Sequence, residues 1–357
     1  MEVSALLVEL LNATLCHREP NGKLFEGLSE DDWQRCFNMA LSQGVLAMLY
    51  PTVSLLPKEF APPLPLSHRW MSYQQTILRQ THFKKKTVSI IGSWLAEDGL
   101  ATIILKGFSL SVLYPNPNLR EFGDIDIFSC NQYDAVNACF AKHGTPVRKV
   151  DGHHAYLKMN GIPIEHHFAF TNTKVKKGVD RPEAILQQLI LRSGHQTPIP
   201  GILLPNNEFQ AIHVGNHAFG HFLQEKIMLR QLIDWVLVLK QLTEQEADEV
   251  LEIKGNTLWG KFTSTLTAIA IHKLLLPQSW FPKKELEFAD CVSPELESKV
   301  WNDIMNTSIT EKTTSSILRR AFIARRILNN SWKYKEYSNV GASQLLLKLF
   351  FKHLVNP

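Results

Sequence analysis

With 45% hydrophobic, 10% aromatic and 20% charged residues among 357, the chain is too apolar for disorder and long enough to bury a core without disulfides or structural metal. Its 38 basic and 34 acidic residues leave a formal net charge of +4, too mild for whole-molecule charge to argue for a nucleic-acid partner. Cys16, Cys36, Cys130, Cys139 and Cys291 are odd in number and show no C-x-x-C spacing, which argues against a disulfide framework or a cysteine zinc site and for a reduced, cytoplasmic protein.

Met1–Cys16 carries apolar residues at helical spacing, with Glu2 and Glu9 where a signal peptide would be basic. Ser29 is an N-cap with Asp32 three residues on, so a helix is expected there, ended by Gly44. Leu55–Pro65 is proline-rich and reads as a loop, and a long helix follows from about His68 to Glu97, closed by Gly99. The pattern then changes. Ala101–Leu105 and Ile125–Phe128 are short apolar runs of strand length, Asn131–His143 is helical, and Val147–Val150, Ala155–Met159 and Ile162–Phe168 are further strands. Asn160-Gly161 joins the last two as a two-residue hairpin turn, since both positions accept positive φ. Helices return as Pro182–Arg192, Asn207–Lys240, Glu244–Lys254, Thr257–Leu275 and a basic segment from Thr313 onward. No apolar run approaches the ~20 residues of a membrane span. The expected fold is α+β, a small mixed sheet embedded in a largely helical chain: a helical region 1–99, an α/β core 100–180 and a helical region 181–357.

Chemistry concentrates between Leu105 and Phe128. Residues two apart on a strand point to the same face, so Asp124 and Asp126 project together while Ile125 and Ile127 anchor the strand. Two adjacent like charges need a cation, and magnesium, with its preference for hard oxygen ligands, suits them. Gly123 leaves room for a ligand beside the pair. Upstream, a strand ending in Lys106-Gly107 and a helix beginning near Phe108 would offer free backbone N–H groups to an anion. Downstream, Glu165 interrupts an apolar strand and is placed to complete a three-carboxylate site. A solvated strand edge is the plainer reading of D-x-D.

The series Leu105-Lys106-Gly107, then Tyr114-Pro115, then Arg120 and Asp124-Ile125-Asp126 resembles the uncharacterised nucleotidyltransferase family of the polymerase-beta-like superfamily, most closely over 100–170. The resemblance implies a nucleotidyltransferase-type sheet, Asp124, Asp126 and Glu165 as catalytic metal ligands, and Gly107 as the turn facing a triphosphate. Ser109 stands one residue later than the usual Gly-Ser, Glu replaces the commoner third Asp, and Tyr114–Pro117 lengthens the gap between Gly107 and Asp124. The implied reaction is transfer of a nucleoside monophosphate from ATP or another triphosphate, with Mg2+ or Mn2+, to an RNA, protein or small-molecule acceptor, releasing pyrophosphate. Lys106, Ser109, Arg120 and His167, with Gly107, are candidates to meet phosphate; for Arg120 the other reading is a surface pair with Glu121 or Asp124. His167 shares Glu165's side of its strand and His166 faces away.

His213, His217 and His221, four residues apart, line one helix face. They pack between helices, close the nucleotide site with Arg230 and Asp234 behind it, or, least favoured, bind metal. Arg230 and Asp234 read as an i, i+4 pair. The basic and aromatic C-terminal segment, Arg319 to Tyr337, reads as a solvated face or as a binder of RNA or anionic lipid. Two alternatives to the transferase stand: a non-catalytic descendant that binds nucleotide or partner through the same cleft, and a hydrolase with a metal on the histidine helix.

Overall fold

Local signals build the framework. In the computed structural model, which describes residues 3–171, 182–192, 194–224, 226–255, 257–306 and 330–337, α1 (Val3–Leu15), α2 (Glu30–Ser42), α3 (Leu46–Val53) and α4 (Leu64–Glu97) precede the sheet. Ser29 and Asp32 form the expected reciprocal cap of α2, the Ser29 hydroxyl accepting from the Asp32 N–H at 3.2 Å and the Asp32 carboxylate from the Ser29 N–H at 3.0 Å. α4 has 34 residues, about 51 Å of helix. Its first half buries Trp70 against Trp33 and Phe37, and its second half lays Val88, Ile91 and Leu95 on the sheet.

β1 (Thr102–Leu105), α5 (Lys106–Ser111), β2 (Ile125–Phe128), α6 (Tyr133–Lys142), β3 (Lys149–Asp151), β4 (His154–Met159) and β5 (Ile162–His167) follow. Asn160 and Gly161 both take positive φ, as the hairpin requires. α7 (Glu183–Leu191), β6 (His195–Gln196) and β7 (Ile202–Leu204) complete a seven-stranded mixed sheet of order β3-β4-β5-β2-β1-β7-β6. β6 and β7 are two and three residues long, too short for a periodicity to announce them. β7 reaches β1 because Gly92 of α4 and Gly201 meet backbone to backbone; a Cβ at Gly92 would lie 2.4 Å from the Pro200 carbonyl oxygen.

The segment 207–240, expected as one helix, is two: α8 (Asn207–Gln224) and α9 (Leu229–Leu239). Their separation comes from elsewhere in the chain. Buried Gln43 at the end of α2 accepts from the N–H groups of Leu229, at 2.7 Å, and Arg230, at 3.4 Å, and so caps α9. α10 (Glu244–Lys254), α11 (Leu258–His272), α12 (Lys283–Asp290), α13 (Pro294–Met305) and the short helix Ser331–Tyr337 follow. Helices from both sides of the sheet segment share one core that runs from Leu6 through Trp235 to Val300.

The strand period of two divides the sheet between two environments. Ile104, Ile125, Ile127 and Ile164 join the α4 and α6 side chains on one face. Ile103, Leu105 and Phe128 join the main core on the other. There Phe170 bridges Phe128 and Phe209 of α8 at ring distances of 4.6 and 4.9 Å, contacts worth about 0.5–1.5 kcal/mol each beyond burial, and so sets α8 over the sheet. No described helix is long and apolar enough to cross a membrane. Of the basic C-terminal segment, 307–329 and 338–357 lie outside the described residues. Within the rest, Lys333 and Tyr337 are buried, the Lys333 ammonium donating to the Phe222 carbonyl and pairing with Asp303, so these two serve the core rather than an RNA or lipid surface.

Candidate active site

β2 and β5 run parallel, with Asp126 the register partner of Glu165 and Phe128 that of His167. The two strands therefore bring Asp126, Glu165 and His167 to the sheet face beneath α8. Asp126, 3% exposed, accepts from the Lys106 ammonium and from His167 Nε2, both at 2.8 Å. Burial by itself would raise the Asp126 pKa, but Lys106 and His167 hold it far below the usual carboxylate range. Asp124 lies just before β2 and is half-buried. Burial and the charges of Asp126 and Glu165 push its pKa up. Glu165 is drawn down against its burial by neighbouring His167, with Lys106 adding to the effect. The three acids thus act on one another electrostatically in the same corner of the sheet.

Lys106 directly follows β1 with φ +42°, in the left-handed region unusual for a side chain of its kind, and this turn sends its ammonium across to Asp126. The ammonium lies 3.5 Å from His167 Nε2 as well. Gly107 is required by packing: a Cβ there would stand 2.6 Å from the Phe122 Cβ. Gly123, in contrast, has open space around it. α5 is six residues, and Ser109 is buried with its hydroxyl donating to the Lys106 carbonyl at 3.1 Å, so it braces the turn instead of presenting the hydroxyl expected to meet phosphate.

Arg120 departs from its expected place at the triphosphate. It is buried and forks onto Asp234, Nε to Oδ1 and Nη2 to Oδ2 at 2.7 Å each, with Nη1 on the Gly107 carbonyl at 2.9 Å. The Tyr114 hydroxyl donates to Asp234 Oδ1 at 2.7 Å. Asp234 is therefore the partner of Arg120, not of Arg230, whose Nη1 donates to the Glu121 carbonyl at 2.9 Å. These bonds clamp the 107–121 connection to α9 and fix how β2 enters the sheet.

α8 turns its histidine face toward this corner. His213 is buried among Phe170 and Phe209, and burial holds its pKa well below normal, with Lys106 and His167 adding to the effect. His217 and His221 meet through Nε2 at 3.1 Å. Among the described residues, groups of three ligating side chains form at the sheet and not on α8, which leaves the metal-hydrolase alternative without a three-ligand site on that helix. His166 points to the opposite face, as its strand position requires, and bonds Asn137 and Ser129.

Residues the sequence pattern did not single out also converge here. Lys84 of α4 is buried, covers the Phe122 ring at 4.5 Å and donates to the Phe122 carbonyl; its pKa is lowered by burial and lifted in part by Asp124. His153 and His154 lie beside His167, and burial lowers the His153 pKa to about 4. The Asn160-Gly161 turn fixes His154 opposite His167, a pairing legible from the turn alone.

A divalent cation fits these donors: Asp126, Glu165 and His167 each offer a ligating atom, all within 4.8 Å of one another, while Asp124 stands outside that set but within reach of the charges of Asp126 and Glu165. A sequence model of the uncharacterised nucleotidyltransferase family matches residues 29–275. The chain belongs to that family. Asp126 lies on β2 and Glu165 on β5, with Asp124 just before β2. Among solved structures, the crystal structure of ANT(2")-Ia in complex with adenylyl-2"-tobramycin is similar at 11% identity and a TM-score of 0.35, over 49% of this chain and 96% of that one. No curated protein matches the chain.

Proposed function

We propose that this nucleotidyltransferase moves a nucleoside monophosphate from a triphosphate to a hydroxyl-bearing acceptor with the help of magnesium or manganese. The observation that carries the reading is the register of Asp126 against Glu165, with Asp124 in their field. Asp124, Asp126 and Glu165 would hold the cation through oxygen, and when bound it neutralises triphosphate charge and lowers the pKa of the attacking hydroxyl. Lys106, the flexible cation nearest the carboxylates, transfers its ammonium from Asp126 to the phosphates as nucleotide enters. Glu165 takes the acceptor proton. The acceptor oxygen bonds to the α-phosphorus, the bond from that phosphorus to the bridging oxygen breaks, and pyrophosphate departs with the electron pair. His167 keeps Asp126 oriented through its hydrogen bond.

Incubation of the protein with each α-labelled nucleoside triphosphate and a cell extract reads both the base and the size class of acceptor: RNA, protein or small molecule. Label should transfer with wild type and vanish with Asp124→Asn/Asp126→Asn, while circular dichroism stays unchanged. Undiminished labelling by the double variant would end the proposal. A second reading, nucleotide binding without turnover, is favoured by the Lys106 ammonium already seated on Asp126. It requires saturable triphosphate binding with no pyrophosphate release under any acceptor.

A further inference from the structure

Next to the carboxylates stands a second set of ligating atoms whose chemistry differs. His153 occupies the turn between β3 and β4, His154 opens β4, and His167 faces His154 across the hairpin. The three ring centroids are 4.5, 5.2 and 5.4 Å apart, and one nitrogen from each ring lies within 4.8 Å of the others. His154 is 6% exposed, yet among the described residues neither of its ring nitrogens has a hydrogen-bond partner, and Nδ1 of His153 is likewise buried and unpartnered there. Buried polar atoms of this kind are ordinarily satisfied. Glu165 spans the group, Oε1 at 3.7 Å from His154 Nε2 and Oε2 at 3.6 Å from His167 Nε2. Those separations are too long for hydrogen bonds. They sit close to the roughly 3.3 Å between neighbouring ligand atoms around a tetrahedral ion with bonds of about 2.0–2.1 Å.

We propose that His153, His154 and His167, with Glu165 as fourth ligand, form a site for a first-row transition cation of the zinc class. Three imidazoles and one carboxylate suit zinc, whereas magnesium prefers an all-oxygen octahedron. The site does not require nucleotidyl transfer. It shares Glu165 and His167 with the carboxylate centre: zinc on His167 Nε2 would replace the hydrogen bond from that nitrogen to Asp126, leave Asp124 and Asp126 to an oxygen-seeking ion and tie the position of Glu165 to a second metal.

The full chain, stripped with a chelator and titrated with zinc alone in excess magnesium, tests this. One equivalent should bind, and cobalt(II) in its place should give the intense visible absorption of a tetrahedral site. His154→Gln and His153→Gln should each weaken zinc binding on the order of 100-fold. His153, in a turn, gives the variant whose fold is safest, and circular dichroism checks both. Asp124→Asn should keep zinc while losing transfer, which separates failure of this site from failure of the transferase reading. Zinc held no more tightly by wild type than by the His153→Gln/His154→Gln double variant would overturn the site, as would affinity lost on His217→Ala instead.

Discussion

The salt bridges Arg120–Asp234 and Lys106–Asp126 both take their cation from the segment between β1 and β2, and they differ in how their charges are balanced. Around Asp234 every partner is matched: the Arg120 fork fills both oxygens, Tyr114 adds a donor, and the third guanidinium nitrogen is taken by the Gly107 carbonyl. Around Asp126 the balance is uneven. Lys106 and His167 crowd onto one oxygen, Asp124 is pushed toward protonation, and among the described residues His154 is left without a hydrogen bond. A saturated buried pair holds a fold together; an unsaturated one holds electrostatic energy that a ligand can release.

Substitutions can sharpen this contrast. The largest expected effect is chemical: Asp126→Asn should lower transfer at least ~10³-fold, since the carboxylates supply several kcal/mol of charge stabilisation through the cation, yet cost only about 1–2 kcal/mol of stability, because Lys106 retains access to water. Steady-state rates and urea denaturation on the same preparations measure both. Asp234→Asn should reverse the ranking, with a stability loss of about 3–5 kcal/mol from the stranded Arg120 and little specific effect on catalysis in whatever remains folded. Equal stability losses at the two sites would erase the distinction.

A pH effect on the opposite sheet face comes next. Burial holds the His166 pKa at about 3, against the ordinary 6.5. Its neutral form is favoured by the fold and its charged form by the unfolded chain, so stability is full above pH 6.5 and falls as pH drops. Between pH 6.5 and 5 the loss should be on the order of 2 kcal/mol, flattened in His166→Gln, as melting temperatures across that window would record. Gly107→Ala should cost about 1–3 kcal/mol of stability from the clash with Phe122. A Gly107→Ala protein as stable as wild type but slow in transfer would move Gly107 from packing to phosphate binding.

Much of the site was legible one strand at a time. The spacing of Asp124 and Asp126, the lone Glu165 in an apolar run and the side shared by His167 follow from the two-residue strand period. The Asn160-Gly161 turn carried more than the pattern reading took from it, since counting back along the hairpin sets His154 against His167 and Tyr156 against Glu165. Arg120 was read from its charge and neighbours in sequence, which cannot reveal a partner such as Asp234 more than a hundred residues away. The division between α8 and α9 escaped for the same reason, because its cap, Gln43, is supplied by α2.

The amino-acid pattern by itself determined the hairpin, the α2 cap and the alternation of Asp126 with Ile125 and Ile127 on β2, because each depends on neighbours within a few residues. Only the tertiary structure decided that β2 lies parallel to β5, that Lys106 reaches Asp126 and that Arg120 belongs to the frame. Strand order and buried charge pairing are settled by which distant surfaces exclude water together, and no local window contains that information.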